Sequence, residues 1–166
     1  LDFTIESIKE GGADALICTG ISTGKSPSIE DVEKMKELSD GLPVILGSGV
    51  NSNTVKDYLA VSDGAIIGLL ASSDEPELIE NLILAGVNVK PNGVIDEVYQ
   101  DMKNQYQKTK NPLIKLMLEE PHISNKQLHQ VKAKTLLLAG SDDLIKLDHI
   151  ERISHHIENS KFVILD

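Results

Sequence analysis

The chain has 166 residues, 40% of them hydrophobic, and carries a formal net charge of −10 at pH 7. A length near 150 residues suits one domain, which can bury about two-thirds of the surface that the unfolded chain exposes. The acidic balance argues against a nucleic-acid partner, because that affinity comes largely from Lys and Arg side chains that neutralise phosphates. No apolar run reaches the roughly 18 residues of a membrane span, so we expect no membrane segment.

Cys18 is the one cysteine, so the chain cannot form an internal disulfide. This predicts a reducing compartment, the cytoplasm. The sequence opens on Leu1, which is not a natural start, so we expect a fragment or a processed or engineered product. Nothing in the sequence indicates a metal site or a cofactor.

The front part of the sequence predicts three short strands that alternate with two helices. The strands are apolar runs at residues 15–18, 43–46 and 65–67, each followed within two residues by glycine. Ser28 is a good N-cap, and it predicts a helix that runs to about residue 39, where Asp40 and Gly41 stop it. Asn51 or Ser52 can cap a second helix over residues 53–59.

The back part predicts three more strands and a long helical segment. The strands are residues 82–85, 135–139 and 162–165. Residues 94–131 contain no strand pattern, and their apolar side chains recur at helical spacing, which indicates an inserted helical cap. Alternating strands and helices predict an α/β fold with a mainly parallel sheet of about six strands.

We expect residues 1–166 to form a single α/β domain with two kinds of β/α unit, 1–68 and 69–166. If consecutive strands are neighbours joined by right-handed crossovers, every helix falls on one face of the sheet. The other face then stays bare unless the sheet curls, reverses or pairs with a second copy. This predicts a homodimer, or a doubly wound strand order with one reversal.

Three glycine motifs stand at the ends of the strands predicted in the front part. They are Thr19-Gly20 with Thr23-Gly24, then Gly47-Ser48-Gly49, and then the run Asp63-Gly-Ala-Ile-Ile-Gly68. In parallel β/α units, small residues at these places let backbone N–H groups and a helix N-terminus approach an anion.

Together with the strand runs, these motifs make residues 1–68 resemble the C-terminal part of the BtpA family. The family contains proteins of the TIM-barrel type associated with photosystem I biogenesis. The resemblance implies that Gly47, Ser48, Gly49 and Gly68 line a site for a phosphate or another anion. The alternative is that these glycines only terminate strands.

Residues 20–26 also have some features of a P-loop, the nucleotide-binding turn between a strand and a helix. A P-loop needs its first glycine at the position of Thr19, and Pro27 follows the run at once. An ordinary loop is therefore favoured over a nucleotide-triphosphate site.

Residues 62–166 resemble the C-terminal half of an α/β-hydrolase, including its cap. The resemblance is carried by the segments 62–72, 76–86 and 134–145, the last of which reads Lys-Thr-Leu-Leu-Leu-Ala-Gly-Ser-Asp-Asp-Leu-Ile. Carried over residue by residue, it implies Ser62 as the nucleophile and Asp143 as the acid that orients a histidine, with Asp142 as the nearby alternative. The nucleophile of such enzymes lies in a G-x-S-x-G turn between a strand and a helix.

Two departures weaken the hydrolase resemblance. The first glycine of the turn is Ala60 here, and the family's histidine is expected after the last strand, where this sequence ends. Without a base, a serine hydroxyl is a poor nucleophile near neutral pH. Residues 62–68 belong to both resemblances, and the helix predicted just before them favours a strand at 65–67 over a nucleophile turn at Ser62.

The two resemblances predict a recombined chain without a complete active site. We expect a non-catalytic α/β protein with at most a residual pocket for a small phosphorylated ligand or anion. The alternative is a serine ester hydrolase that uses Ser62 and Asp143 and lacks its histidine.

Overall fold

The computed structural model describes residues 5, 8, 10–20, 25–67, 74 and 76–166. The chain divides into two compact units, Leu1–Ala71 and Ser72–Asp166. The described residues form six strands, paired only in parallel within their sheets, and six α-helices. The predicted α/β fold with about six parallel strands is therefore confirmed. The strands lie in two sheets of three, one in each unit, rather than in one sheet.

The front unit alternates strands and helices in the order β1 (Leu16–Cys18), α1 (Ile29–Leu38), β2 (Val44–Leu46), α2 (Val55–Leu59), β3 (Gly64–Ala65). The strands are neighbours in that same order. α1 packs against β2, and α2 packs against β3. The first two strands lie within one residue of their predicted positions, and the third starts one residue early and ends two residues early.

α1 begins and ends where its sequence predicts. The Ser28 side chain accepts a hydrogen bond from the backbone N–H of Asp31 at 3.1 Å, which satisfies one of the unpaired donors of the first turn. Beyond the helix, Asp40 and Gly41 have positive φ angles of 49° and 89°. Residues in this left-handed conformation cannot continue the helix.

α2 starts at Val55, two residues later than predicted. The reason is a turn around Asn51, whose side-chain oxygen accepts from the N–H of Asn53 at 3.0 Å. The carbonyl of Asn51 accepts from the N–H groups of Thr54 and Val55. Residues 51–54 therefore form a turn, and the helix begins after Thr54. The side chain of Thr54 makes no capping hydrogen bond.

Asp63 holds β3 beside β2. Its backbone N–H donates to the carbonyl of Val44 at 2.9 Å, and its carboxylate accepts from the N–H of Val44 at 2.7 Å. The carboxylate also pairs with the ammonium of Lys36 on α1. The hydrogen bond from Lys36, followed by that from Val44, lowers the pKa of Asp63 below its ordinary value of 3.8.

We expect Asp63→Asn to destabilise the front unit near neutral pH. The loss should be about 1 kcal/mol, because a charge-assisted acceptor is removed but solvent screens a side chain that is 39% exposed. A lowered pKa stabilises the fold above the unfolded value, and this stabilisation is lost as the pH falls through the folded value. Urea unfolding should show that the difference from wild type narrows below pH 3.8. Glu33→Gln, on the exposed face of α1, is the matched control; equal losses for both variants would contradict the role of Asp63.

Over residues 76–166, the back unit contains three strands, a 3₁₀ turn and four helices. They are β4 (Asn81–Ala85), the turn Pro91–Gly93, α3 (Asp96–Thr109), α4 (Pro112–Glu119), α5 (Asn125–Gln130), β5 (Lys134–Gly140), α6 (Leu147–His156) and β6 (Ser160–Leu165). Helices α3 to α5 fill the segment predicted to be helical, between two adjacent strands of the sheet. The strand order is β4-β5-β6.

The sheet of the back unit is buried on one face only. Leu137 of β5 is fully buried, as are Ile150 and Ile153 of α6, which packs against β5 and β6. Side chains alternate along a strand, so the opposite face carries Ile83 and Leu165, which are 67% and 52% exposed. The homodimer expected to cover such a face remains a prediction.

Candidate functional site

The loops that follow β1 and β2 are bonded to each other in the front unit. The backbone N–H of Gly47 donates to the carbonyl of Cys18 at 2.8 Å. The hydroxyl of Ser26 donates to the carbonyl of Gly49 at 2.8 Å, and the hydroxyl of Ser48 donates to the carbonyl of Lys25 at 3.1 Å. Gly47, Ser48 and Gly49, which are consecutive in the sequence, lie at the carboxyl end of β2, against the loop after β1; Gly68 lies outside the described residues.

Two of these positions leave no room for a side chain: Gly49 faces backbone atoms, and Gly47 faces side-chain methyl groups. A Cβ atom at Gly49 would lie 2.6 Å from the carbonyl carbon of Lys25 and would also overlap the backbone nitrogen of Ser26. Gly49 has a φ angle of +77°, which side chains rarely tolerate. A Cβ at Gly47 would lie 2.6 Å from the methyl group of Thr19. The glycines therefore serve loop packing, whether or not a ligand binds.

The same turn presents backbone donors. Within the described part of the chain, the N–H groups of Ser48 and Gly49 donate to no protein acceptor. Successive N–H groups beside a left-handed residue can form a concave site for an anion. Lys25, whose side chain is exposed, adds a positive charge to the loop that packs on the turn.

A third contact fixes the loop after β1. The buried hydroxyl of Tyr58 on α2 donates to the carbonyl of Pro27 at 2.6 Å. The loop is thus held from Gly49 on one side and from α2 on the other. The sequence predicts an ordinary loop at Lys25 and Ser26 but does not indicate their contact with Gly49. Glycine at a strand end is too common a signal to indicate which segment packs on it.

Ser62 lies between a helix and a strand, the reverse of the order in a nucleophile turn. It follows α2 and precedes β3. Its hydroxyl donates to the carbonyl of Tyr58 at 2.8 Å, with a longer contact of 3.3 Å to the carbonyl of Gly64. The carbonyl of Tyr58 also accepts from the backbone N–H of Val61 at 3.2 Å, so the hydroxyl of Ser62 adds a second hydrogen bond at the end of α2.

Asp143 lies in the turn after β5, in the other compact unit. Its carboxylate accepts from the N–H of Ile145 at 3.1 Å, and its own N–H donates to the carbonyl of Gly140 at 3.3 Å. No histidine in the described ranges bonds to this carboxylate. Asp143 thus closes a turn.

Two kinds of feature are absent from the residues that the structure covers. No group of three or more His, Cys, Asp or Glu side chains is placed to hold a metal ion. No helix there combines the length and the apolar character that crossing a membrane requires.

The front part of the chain is similar to a known family. Residues 2–75 match the BtpA family. The match confirms the resemblance found in the sequence and extends through residues 62–68, which both resemblances shared. Of the described residues 62–67, Gly64 and Ala65 form β3 in the front unit, which agrees with the predicted strand rather than with a nucleophile turn at Ser62.

Curated relatives match part of the chain. An uncharacterized protein of Pyrococcus horikoshii is 42% identical over 64 residues, which is 39% of this chain and 24% of the relative. The photosystem I biogenesis protein BtpA of Synechocystis is 32% identical over 62 residues, 37% of this chain and 22% of the relative. The chain thus spans about a quarter of the length of the relatives that it matches.

Solved structures with some likeness to the chain are hydrolases. One is a meta-cleavage product hydrolase from Pseudomonas fluorescens, with a TM-score of 0.46 and 14% identity over 91% of this chain and 81% of that one. Another is a thermophilic esterase from Thermogutta terrifontis, with a TM-score of 0.39 and 15% identity over 89% of this chain and 65% of that one. TM-scores below 0.5 do not establish a shared fold.

Proposed function

We propose that this chain is a non-catalytic α/β protein that binds a small phosphorylated ligand or a similar anion at the carboxyl ends of β1 and β2. The observation that carries the proposal is the pair of N–H groups of Ser48 and Gly49, which donate to no described acceptor. They lie in a turn whose hydroxyl and carbonyl groups are already bonded to the Lys25–Ser26 segment. An anion can use the remaining donors without breaking those bonds. Gly68 is part of the proposal from the family resemblance alone.

The anion suits the local charges. Backbone N–H dipoles favour negative ligands, and the side chain of Lys25 can approach an anion held by the turn. The contacts of Ser26 and Tyr58 fix the loop before a ligand arrives, which lowers the entropy lost on binding. A location in the reducing cytoplasm is part of the proposal, because Cys18 is the one cysteine of the chain and cannot form an internal disulfide.

Nuclear magnetic resonance of the ¹⁵N-labelled chain tests the site during addition of inorganic phosphate. We expect the amide signals of Ser48 and Gly49 to shift until they saturate. Chloride at matched ionic strength should leave them in place, because it supplies charge but not a tetrahedral set of acceptor oxygens. Amide signals at these two residues that follow ionic strength alone would refute the proposal.

Ser62 should stay unmodified by a serine-reactive phosphonate probe. Its hydroxyl is bonded to backbone carbonyls and has no described basic partner, so nothing raises its nucleophilicity. Intact mass and peptide mapping after incubation provide the measurement. Ser62→Ala serves as the matched control. Mass added at Ser62 in the wild type but not in the variant would revive the serine hydrolase that uses Ser62 and Asp143.

A further inference from the structure

A cavity in the back unit is lined mainly by positively charged side chains. Its volume is about 240 Å³. The lining residues are Lys90, Asn92, Lys146, Asp148, His149 and Arg152. The positive charge of this lining contrasts with the chain as a whole, in which 26 acidic residues outnumber 16 Lys and Arg. Three permanent cations and a histidine around one carboxylate leave the cavity with excess positive charge.

The cations are held by contacts that leave much of their charge available. The ammonium of Lys146 bonds to the carboxylate of Asp96 at 2.7 Å, but that carboxylate is 85% exposed and therefore strongly screened. Arg152 donates to the neutral amide oxygen of Asn125 at 3.2 Å. Lys90 forms no ion pair within the described residues. Like charges brought together in this way repel one another unless a counter-ion is present.

The excess positive charge of the cavity contributes to a lowered pKa of His149. Its pKa is lowered first by burial and then by Arg152, with smaller contributions from Lys90 and Lys146; Asp148 alone acts in the opposite direction. Its Nε2 atom accepts a hydrogen bond from the backbone N–H of Val89 at 3.3 Å. The neutral ring therefore carries its proton on Nδ1 and has one donor left.

The size and the donors of the cavity indicate its ligand. Drug-sized ligands occupy pockets of about 300–1,000 Å³, so a cavity of this volume suits a smaller molecule. A planar guanidinium and two ammonium groups provide many N–H donors, and phosphate oxygens accept such bonds well. The cavity also adjoins the first turn of the ten-residue helix α6, whose positive dipole end favours an anion.

We propose that the cavity between Lys90, Lys146, His149 and Arg152 binds a phosphate group, as inorganic phosphate or as part of a small phosphomonoester. The site is separate from the turn of Ser48 and Gly49, and it lies in the other compact unit. It does not depend on the function proposed for the front unit. Phosphate binding in this cavity requires neither Ser62 nor Asp143.

The ring signals of His149 test this site during titration with inorganic phosphate. We expect a saturable shift in phosphate that chloride does not reproduce at matched ionic strength. The bound dianion should raise the pKa of His149 by about one unit, because it offsets the positive charges that lower it. The amide signals of Ser48 and Gly49 in the same spectra report the front site independently.

Charge-removing variants identify the cations that matter. Lys90→Gln and Arg152→Gln should each weaken phosphate binding about tenfold, since each loses a charge-assisted contact. Lys90→Arg keeps the positive charge and should therefore retain phosphate binding. Retained binding would show that a substitution at this position leaves the fold intact. Lys134→Gln is the matched control, because Lys134 is exposed at the amino end of β5. An absent shift at His149, or equal weakening by Lys90→Gln and Lys134→Gln, would overturn the proposal.

Discussion

Gly49→Ala is expected to destabilise the front unit by about 3 kcal/mol, from about 1–2 kcal/mol for the left-handed backbone and a similar amount for overpacking. Gly49 has a φ angle of +77°. Its missing side chain makes room for Lys25 and Ser26, whose backbone atoms a Cβ would overlap. Because these are backbone atoms, a change of side-chain rotamer cannot relieve the overlap. Urea unfolding followed by circular dichroism measures the loss.

Gly41→Ala is the matched control for this substitution. Gly41 also has a positive φ angle, +89°, but a Cβ there would meet no atom within 4 Å. It should cost only the backbone part, about 1–2 kcal/mol. The difference between the two variants isolates the packing of the loop after β1 on the turn after β2. If both variants lose the same stability, the loop does not pack there in solution.

Leu137→Ala is expected to cost about 2–5 kcal/mol in the back unit, because it leaves a cavity in the core. Leu137 is the central residue of β5, fully buried on the face that α6 covers. The surrounding side chains of α6, such as Ile150 and Ile153, are held by the helix and cannot fill the space completely. Thermal unfolding and hydrogen exchange of the β5 amides both report the loss.

Ile83→Ala, on the opposite face of the same sheet, is the matched control for Leu137→Ala. Ile83 is 67% exposed, so its truncation should change the stability by less than about 0.5 kcal/mol. A loss comparable to that of Leu137→Ala would mean that the face is covered in solution. Dilution would then show whether the cover is a second copy of the chain, because the stability of a dimer depends on concentration.

The element types could be predicted because their signals are local. The strands come from short apolar runs that end in glycine, and α1 comes from the Ser28 cap followed by a stop at Asp40 and Gly41. The start of α2 could not be predicted, because Asn51, Ser52 and Asn53 offer competing polar partners and a turn at Asn51 uses them first. Such competition depends on small differences among local hydrogen bonds between side chains and backbone.

The division into two sheets could not be predicted from local patterns. A run of apolar residues indicates a strand but not its neighbours, and strand pairing depends on contacts far apart in sequence. The contact of Ser26 with Gly49 is of the same kind. The positive cavity joins Lys90 to residues of α6, so it too arises from the fold. The spacing of Lys146, His149 and Arg152 at three-residue intervals was a usable local signal, since such residues share one face of a helix.

The proposed anion site of the front unit can be tested alone after the back cavity is disabled. Equilibrium dialysis of the Lys90→Gln/Arg152→Gln variant against radiolabelled inorganic phosphate counts the phosphate that remains bound. We expect saturation at one phosphate per chain, held by the N–H groups of Ser48 and Gly49. A variant that is folded but binds no phosphate in the millimolar range would contradict the proposed function.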